Sequence, residues 1–586
     1  MRICRSVFIL ACAGLLWCGC ATTQAPPRTA AAGAAAGGNA IPPGAEEPSG
    51  SEGLVFGARL EASELLSTGK GNPESLAHFA AGESYETNGQ HDLAVEEFYK
   101  SVMADPANEE MALELTRVFL EEQQPERAVS LLSKVAEHPG ASAAIYGWLA
   151  RADLQAGNTN AAIAASRKAV ERWPDSLEGY RSQLEILART GKAAAGMRIL
   201  DQAARHIRNQ PGQLVGLADL YADVLGTQGR QTASARLQAV ALLDRAAGMQ
   251  FSSPAVWERM ADTYARLGES KKAIGIYTKL LAQPLEESTG LDVVRYKAAL
   301  ISMDAEDWTN ATRLLQGVVS NNPGQFPEAW YYLGVMAHSE NRLAEATVDF
   351  ENALRWNAGL EMAYYRLALV WADLDHSPEA LRLLGEARSR FADSFTAEFY
   401  AGLVNMRIKD YDQAVQRFSK AEGMARTNNP AALDHEFYFQ IGAACERDHQ
   451  YPRAAEYLQK CIDLQPDNAE ALNYLGFMWA DLGEQLPKAR AYIEKALKLD
   501  PDNAAYLDSM GWVMYKLKQP QEALPWMLKA VKLSPEPDAT IFDHLGDVYM
   551  ALRQPAKALE NWKKSLSIEP NDEVRKKLQL FDAGAT

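Results

Sequence analysis

The sequence has few cysteines and no surplus of positive charge. Six cysteines occur in 586 residues, and Cys4, Cys12, Cys18 and Cys20 all lie within the first twenty positions. This distribution excludes a small protein held together by disulfides. The 59 Lys and Arg residues are outnumbered by 76 Asp and Glu residues, which gives a formal net charge of -17. Because nucleic-acid binding needs an excess of Lys and Arg on one face, we expect no nucleic acid as the main partner.

Long apolar runs are absent after the N-terminal segment, and that segment has the layout of an export signal. Arg2 and Arg5 precede an apolar stretch from Val7 to Trp17, and Gly19-Cys20 follows. The stretch is shorter than the roughly 20 residues that a membrane-spanning helix needs. It resembles a bacterial lipoprotein signal, which implies cleavage after residue 19 and lipidation of Cys20. Ordinary secretion and a retained anchor helix are the alternatives.

The next segment, residues 21–72, is poor in large apolar side chains. It consists mainly of Ala, Gly, Pro, Ser and Thr, with AAAGAAAGGNA and IPPGAEEPSGSEG in its middle. Such a composition buries too little apolar surface to offset the entropy lost on ordering. We therefore predict a flexible tether between the signal of residues 1–20 and a folded region that begins at residue 73.

Motifs for catalysis and metal binding are also lacking. His435-Glu436 has no second histidine at the zinc-protease spacing, and Gly69-Lys70-Gly71 lacks the rest of a phosphate-binding loop. The nine histidines are scattered along the chain, so a metal site would require an improbable convergence in space. We expect no enzymatic activity, no metal and no cofactor.

What the sequence does contain, after residue 73, is a repeat of 34 to 35 residues. The first repeat has His78, Ala81, Gly82, Tyr85, Ala94, Phe98, Ser101 and Pro106, and the last has Phe542, Leu545, Gly546, Tyr549, Ala558, Trp562, Ser565 and Pro570. This spacing of Trp or Leu, Leu-Gly, Tyr, Ala, Phe, Ala and Pro resembles the tetratricopeptide repeat family.

The physical meaning of the pattern is a pair of packed helices, A and B, in each repeat. Apolar residues three and four apart place one stripe on each helix, and the small residues allow the two backbones to approach closely. A single hairpin cannot bury its stripe, so repeats must stack. We predict an all-α fold, a right-handed α-solenoid of about 14 helix-turn-helix units over residues 73–572. A capping helix and tail are expected over residues 573–586.

Cys445 and Cys461 are the remaining cysteines, and they fall on helices A and B of one repeat. An intra-repeat disulfide formed after export is one interpretation. Two small buried apolar side chains is the other.

The resemblance implies that a ligand would lie in a concave groove lined by the A helices. With the Trp-equivalent residue as the fourth of each repeat, the fifth, sixth, ninth and twelfth places face this groove. In the C-terminal half they hold Tyr331, Tyr332, Tyr365, Phe399, Tyr400, Phe439, Tyr474, Phe477, Trp512 and Tyr515. Upstream the same places hold mostly charged or small side chains, such as Arg151 and Glu185. Aromatic rings offer a large contact area at low entropic cost, so we expect a peptide, partner helix or sugar chain in the C-terminal half.

Two functions of different class follow. The first is a non-enzymatic protein-interaction scaffold, similar to tetratricopeptide lipoproteins of the bacterial envelope that assist assembly or export of envelope components. Its partners would be envelope proteins or peptides. A lipid at Cys20 would hold it in a membrane, and we expect this to be the outer membrane, with the protein facing the periplasm. The alternative is a glycan-binding accessory protein in polysaccharide export or cell-wall processing.

Overall fold

The computed structural model describes residues 72–192, 195–227, 233–250, 253–282 and 290–584. Cys20, the predicted signal and all but the last residue of the predicted tether lie outside these ranges. The described residues form helices joined by short turns and contain no strand. The predicted all-α fold is thereby confirmed.

The chain divides into two units, Met1–Asn321 and Asn322–Thr586. In the N-terminal unit the described helices form seven A and B pairs. They are α1 (Pro73–Thr87), α2 (His91–Ala104), α3 (Glu109–Glu121), α4 (Pro125–Ala136), α5 (Ala143–Gln155), α6 (Thr159–Arg172), α7 (Leu177–Arg189), α8 (Gly196–His206), α9 (Pro211–Thr227), α10 (Ala233–Ala247), α11 (Pro254–Arg266), α12 (Ser270–Leu281), α13 (Gly290–Asp304) and α14 (Trp308–Asn321).

The C-terminal unit has seven further pairs and one last helix in its described part. They are α15 (Pro327–Ser339), α16 (Leu343–Trp356), α17 (Glu361–Asp373), α18 (Ser377–Arg390), α19 (Phe395–Arg407), α20 (Tyr411–Asn428), α21 (His435–Arg447), α22 (Tyr451–Leu464), α23 (Ala469–Leu482), α24 (Leu486–Leu499), α25 (Ala504–Lys516), α26 (Pro520–Leu533), α27 (Ala539–Ala551), α28 (Pro555–Ile568) and α29 (Asp572–Gly584). A short 3-10 helix, Pro430–Ala432, follows α20. Odd-numbered helices up to α27 are the A helices, and even-numbered ones are the B helices.

Local sequence sets the helix ends. Several A helices begin at a residue whose side chain accepts a backbone N–H of the first turn, as Asn72 does from Glu74 at 3.1 Å and Asn468 does from Ala471 at 2.9 Å. Helices of both kinds can begin with proline, which lacks the N–H that would be left unbonded there; Pro73 and Pro327 begin A helices, and Pro125 and Pro555 begin B helices. These signals recur at the repeat period, so each repeat starts and stops its own helices.

Within a repeat, helices A and B touch through one small residue and one large residue. A Cβ atom added at Gly82 would lie 2.6 Å from the Phe98 ring, and one added at Gly402 would lie 2.5 Å from the Phe418 ring. Both rings are fully buried. Glycine at this place is therefore a packing requirement, and it explains why a glycine on helix A is matched by a phenylalanine at a fixed distance along the chain on helix B.

The last helix, α29, covers the end of the C-terminal unit. Val574 is fully buried, and Leu578 and Phe581 pack against the core of the preceding repeats. Lys577 Nζ donates to Asp543 Oδ1 at 2.7 Å and to Asp547 Oδ2 at 2.8 Å on α27. The helix thus has an apolar contact and an ionic contact with the last repeat, as a capping helix requires.

Candidate binding face on the A helices of the C-terminal unit

The ten aromatic residues predicted to line a binding surface all lie on A helices of the C-terminal unit, and we call this set the aromatic face. Tyr332, Tyr365, Tyr400 and Trp512 are buried in the structure. The other six, Tyr331, Phe399, Phe439, Tyr474, Phe477 and Tyr515, are half-buried. The rings are covered because each packs against side chains of the same or a neighbouring helix. The aromatic face therefore presents only part of each half-buried side chain to solvent.

One group of rings joins α17 to α19. Tyr365 and Tyr400 are stacked, with ring centroids 5.6 Å apart, and the guanidinium of Arg366 lies 5.5 Å from the centroid of the Tyr400 ring. Arg366 is only 3% exposed, and the Tyr365 hydroxyl donates to Glu361 Oε1 at 2.7 Å. The sequence pattern did not single out Arg366, because a charged side chain is exposed by default.

A carboxyl group on α21 belongs to the same surroundings. Burial raises the pKa of Glu436 to about 7, the negative charges of Asp434 and Glu470 act in the same direction, and Arg366 opposes them. At neutral pH the C-terminal unit therefore holds a carboxyl group near its titration midpoint.

A second group joins α21 to α23. Phe439 and Tyr474 meet edge to face, with ring centroids 5.5 Å apart. The Tyr474 hydroxyl donates to Glu446 Oε2 at 2.9 Å. Both residues are half-buried, so part of each side chain is available for contact.

The third and largest group joins α23, α25 and α27. The Trp512 ring stacks on the His544 imidazole, with ring centroids 3.9 Å apart. It also stacks on the Tyr515 ring, with centroids 5.1 Å apart. The Phe477 ring lies 6.0 Å from that of His544. Trp512 Nε1 donates to Asp481 Oδ1 at 3.2 Å. Trp512 is therefore held on its ring face and at its edge.

His544 is paired with a buried carboxylate. Its Nδ1 lies 2.9 Å from Asp508 Oδ2, and both side chains are less than a tenth exposed. Burial lowers the pKa of the His544 imidazole, but the charge and hydrogen bond of Asp508 outweigh it, so the net pKa is raised. The imidazole ring is nearly parallel to the Trp512 ring, with an angle of 17° between the two planes.

Two acceptor oxygens of this region have no hydrogen-bond partner in the described structure. They are Asn473 Oδ1 on α23 and Asp508 Oδ1 on α25, and both atoms are buried. The two residues are 35 positions apart and occupy the fifth place of consecutive repeats. A buried acceptor without a donor costs free energy, so a ligand with N–H donors would be stabilised here.

The remaining rings of the aromatic face belong to the repeat interior. Tyr331 packs against Phe350 of its own B helix at 5.8 Å and against Tyr332 at 5.5 Å. Phe399 packs against Phe418 at 5.7 Å and Phe437 at 6.0 Å. These residues hold repeats together and are not brought into the Trp512 group.

Cys445 and Cys461 are both fully buried free thiols in the structure, on α21 and α22. Burial raises the pKa of Cys445 to about 11 and that of Cys461 to about 12. Protonated buried thiols behave as small apolar side chains, which is the second of the two interpretations given above.

Comparisons with known proteins agree with this architecture. Models described as tetratricopeptide repeat match residues 76–108, 119–185, 256–289, 296–358, 365–429, 446–504 and 483–536. Together the matches cover more than half of the chain. A search of the curated proteins finds no match. Within the described residues, no helix combines the length and apolar character needed to cross a membrane.

Three solved structures give the range of structural similarity. The chain is 15% identical to a chain of the APC/C hetero-tetramer Cut9-Hcn1, with a TM-score of 0.40 over 89% of this chain and 98% of that one. It is 16% identical to yeast Tom70, with a TM-score of 0.33 over 81% and 96%. MamA from Desulfovibrio magneticus RS-1 is 21% identical, with a TM-score of 0.26 over 30% and 96%. The family assignment rests on the repeat models, which confirm the resemblance found in the residue spacing: the chain belongs to the tetratricopeptide repeat family.

Proposed function

We propose that this chain is a non-enzymatic scaffold that binds a protein or peptide segment on the A helices α23 and α25. Tetratricopeptide repeats are interaction modules, because stacked hairpins present long helical surfaces to a partner. The observation that carries the proposal is the pair of buried, unpartnered acceptors, Asn473 Oδ1 on α23 and Asp508 Oδ1 on α25, at the same place of consecutive repeats.

The chemistry of these groups defines the partner. Backbone N–H groups, lysine or arginine can donate to both oxygens, and an extended peptide offers donors at regular intervals. The half-buried edge of Phe477 supplies apolar contact beside them. The chain's acidic balance favours a partner segment of neutral or basic character.

We also propose that the protein is an exported lipoprotein of the bacterial envelope, anchored at Cys20 and assisting assembly or export of envelope components from the periplasmic side of the outer membrane. The support is the N-terminal pattern: Arg2 and Arg5, the apolar stretch to Trp17, and Gly19-Cys20. The composition of residues 21–72 fits a tether that would hold the repeats away from the lipid.

The binding proposal is tested by cross-linking and pull-down from detergent-solubilised envelope with the full mature chain. Asn473→Ala combined with Phe477→Ala should lose the captured protein, whereas Leu528→Ala, which truncates an exposed side chain on α26, should retain it. Equal capture by both variants would contradict binding at α23 and α25. Binding of a soluble polysaccharide by the wild type, with no protein captured, would favour the glycan-binding alternative instead.

The anchor is tested separately. Cells given an alkyne-labelled fatty acid should label the wild-type chain and leave Cys20→Ser unlabelled, with the variant moving to the soluble fraction. A Cys20→Ser chain that still carries label, or a wild-type chain that never does, would refute lipidation at this residue without affecting the binding proposal.

A further inference from the structure

A second feature of the C-terminal unit lies between the B helices α18 and α20. It is a cavity of about 300 Å³ floored by α19. Its lining residues are Leu381, Leu384, Gly385, Arg388, Ala401, Asn405, Asp410, Gln413 and Arg417. The volume is at the lower end of the range for small-molecule sites, so it suits a small ligand.

The cavity adjoins a carboxylate that is surrounded by cations. Glu398 on α19 is completely buried. Arg388 Nη2 lies 3.1 and 3.2 Å from its two oxygens, Arg417 Nη1 lies 3.3 Å from Oε2, and Lys420 Nζ lies 2.8 Å from Oε1. Lys420 Nζ also lies 2.8 Å from Asp393 Oδ2, so the three cations face two carboxylates and one positive charge is left uncompensated.

The two arginines have donors left for another partner. A guanidinium has five N–H donors, and in the described contacts each arginine reaches Glu398 through a single terminal nitrogen. Both side chains line the cavity and are less than a third exposed. Partly desolvated arginines bind oxyanions more strongly than exposed ones, through charge-assisted and often bidentate hydrogen bonds.

The repeat register shows that these polar residues are exceptions. Glu398 stands at the Trp-equivalent place, where the other repeats of the C-terminal unit have Trp330, Tyr364, Tyr438, Leu472, Leu507 and Phe542. Asn405, only 5% exposed, stands where the others have Ala337, Trp371, Cys445, Trp479, Met514 and Tyr549. At the place of Arg388 the others have Leu354, Glu422, Ile462, Leu497, Val531 and Leu566. Two of these polar residues, Arg388 and Asn405, line the cavity, and Glu398 is bonded to Arg388 behind it, a departure from the local pattern that is typical of a functional site.

Glycine keeps the cavity open on the α18 side. A Cβ atom added at Gly385 would meet no atom within 4 Å. The other repeats of this unit have Glu351, Ser419, Gln459, Glu494, Leu528 and Lys563 at this place. Glycine in a helix interior lowers the stability of the helix. A need to keep the cavity open would explain why glycine is nevertheless found at position 385.

We propose that this cavity binds a small oxyanion, a carboxylate or phosphate group on a short aliphatic body, with Arg388 and Arg417 as its ligands. Leu381, Leu384 and Ala401 provide the apolar lining for the carbon part. Asp410, at the rim, is engaged in capping α20, where its carboxylate accepts the Gln413 N–H at 3.3 Å. The charges of Arg388 and Glu398 also reach Tyr365 of the aromatic face, where they act on the pKa of its hydroxyl in opposite directions.

The test is calorimetric titration of the full mature chain with inorganic phosphate and, separately, with succinate, each against sodium chloride of equal ionic strength. Saturable binding of either anion, absent with chloride, supports the proposal, and the two arms show which oxyanion is preferred. No saturable binding of either at millimolar concentration would overturn it.

Variants distinguish anion binding in the cavity from a general attraction of anions to positive charge. Gly385→Leu places a side chain in the opening of the cavity and leaves both arginines in the sequence. It should weaken anion binding at least tenfold. Gly423→Leu is the matched control, because a Cβ added at Gly423 on α20 also meets no atom within 4 Å, yet this residue does not line the cavity. Arg417→Gln combined with Glu398→Gln, which removes opposite charges together, should abolish binding while circular dichroism is unchanged. Unaltered affinity in Gly385→Leu would refute the site.

Discussion

The two units connect their A helices by different chemistry at equivalent places of the repeat. In the N-terminal unit Arg151, at the ninth place on α5, has its Nε 3.0 Å from Glu185 Oε2 on α7. In the C-terminal unit the ninth place on α25 holds Trp512, whose ring stacks at 3.9 Å on His544 of α27. The repeat fixes where neighbouring A helices meet, but leaves open what joins them.

A second pair of A helices in each unit shows the same contrast, although ion pairs join A helices in the C-terminal unit as well, as between His338 Nε2 on α15 and Asp373 Oδ2 on α17 at 2.9 Å. Lys297 Nζ on α13 lies 2.7 Å from Glu258 Oε1 and 3.1 Å from Asp262 Oδ2 on α11, all three being about a third exposed. In the C-terminal unit Tyr365 and Tyr400 are stacked and buried. Exposed ion pairs contribute little and are screened by salt, whereas buried rings contribute by area and contact. We therefore expect the two units to respond differently to truncation, pH and salt.

The largest difference is expected from truncating the ninth place in each unit. Trp512→Ala should lower the free energy of unfolding of the C-terminal unit by about 3–5 kcal/mol, because it removes a buried ring and leaves Asp481 without its indole donor. Arg151→Ala should cost at most about 1 kcal/mol, because its ion pair is partly exposed. Hydrogen exchange of the full chain, read at α23–α27 and at α5–α7, measures both. Equal losses would remove the distinction between the units.

A smaller effect tests what the units share. Gly82→Ala and Gly402→Ala should each cost about 1–3 kcal/mol, because the new methyl group meets a fully buried Phe ring in either unit. Gly423→Ala should be neutral or slightly stabilising, since its Cβ has open space. Thermal unfolding of the three variants checks this. A large cost in one unit only would mean that the repeat interiors also differ.

These pairs show how far the sequence predicts the structure. The spacing of Gly82 to Ala94 and of Gly546 to Ala558 predicts the hairpins, because a close helix contact demands small residues at fixed separations. It also places the aromatic residues correctly on A helices. It does not predict their burial, because cover for Trp512 comes from His544 in the next repeat, whose identity the pattern leaves free. The cavity beside Arg388 was likewise missed, although Glu398 at a Trp-equivalent place was a readable signal.

Buried charge in the C-terminal unit predicts a pH dependence. The pKa of Glu436 is raised to about 7 in the folded chain from 4.5, so the folded state favours the protonated carboxyl. Its stabilising contribution is complete below pH 4.5 and is lost as the pH rises through about 7. Glu436→Gln, which mimics the neutral form, should therefore recover about 1–2 kcal/mol at pH 8 and change little at pH 4.5.

Urea unfolding at pH 4.5, 6 and 8, followed in α17–α21 by hydrogen exchange, measures this difference. Burial also raises the pKa of Asp349 on α16 to about 7. The stability of the Glu436→Gln variant should therefore still fall somewhat as the pH rises. Asp349→Asn provides the matched comparison. A wild-type unit whose stability rises from pH 4.5 to 8 would contradict the sign of both shifts.

The smallest expected effect is the response to salt, and it sharpens the comparison most directly because no residue needs to change. Raising sodium chloride from 0.05 to 1 M shortens the screening length from roughly 14 Å to about 3 Å. The Lys297 ion pairs should then weaken, so amides of α11 and α13 should exchange faster by an amount equivalent to less than about 1 kcal/mol. Amides of α25 should respond less, since the stacked rings of Trp512 and His544 are buried and salt strengthens apolar burial. Those of α27 should respond as well, because Lys577 of α29 forms ion pairs with Asp543 and Asp547 there. Lys297→Met should reduce the salt response in α11 and α13 and leave the part that comes from the ion pairs of Arg259 and Arg266 with α9. A response in α25 as large as that in α13 would mean that ion pairs, and not ring contact, join α25 to its neighbours.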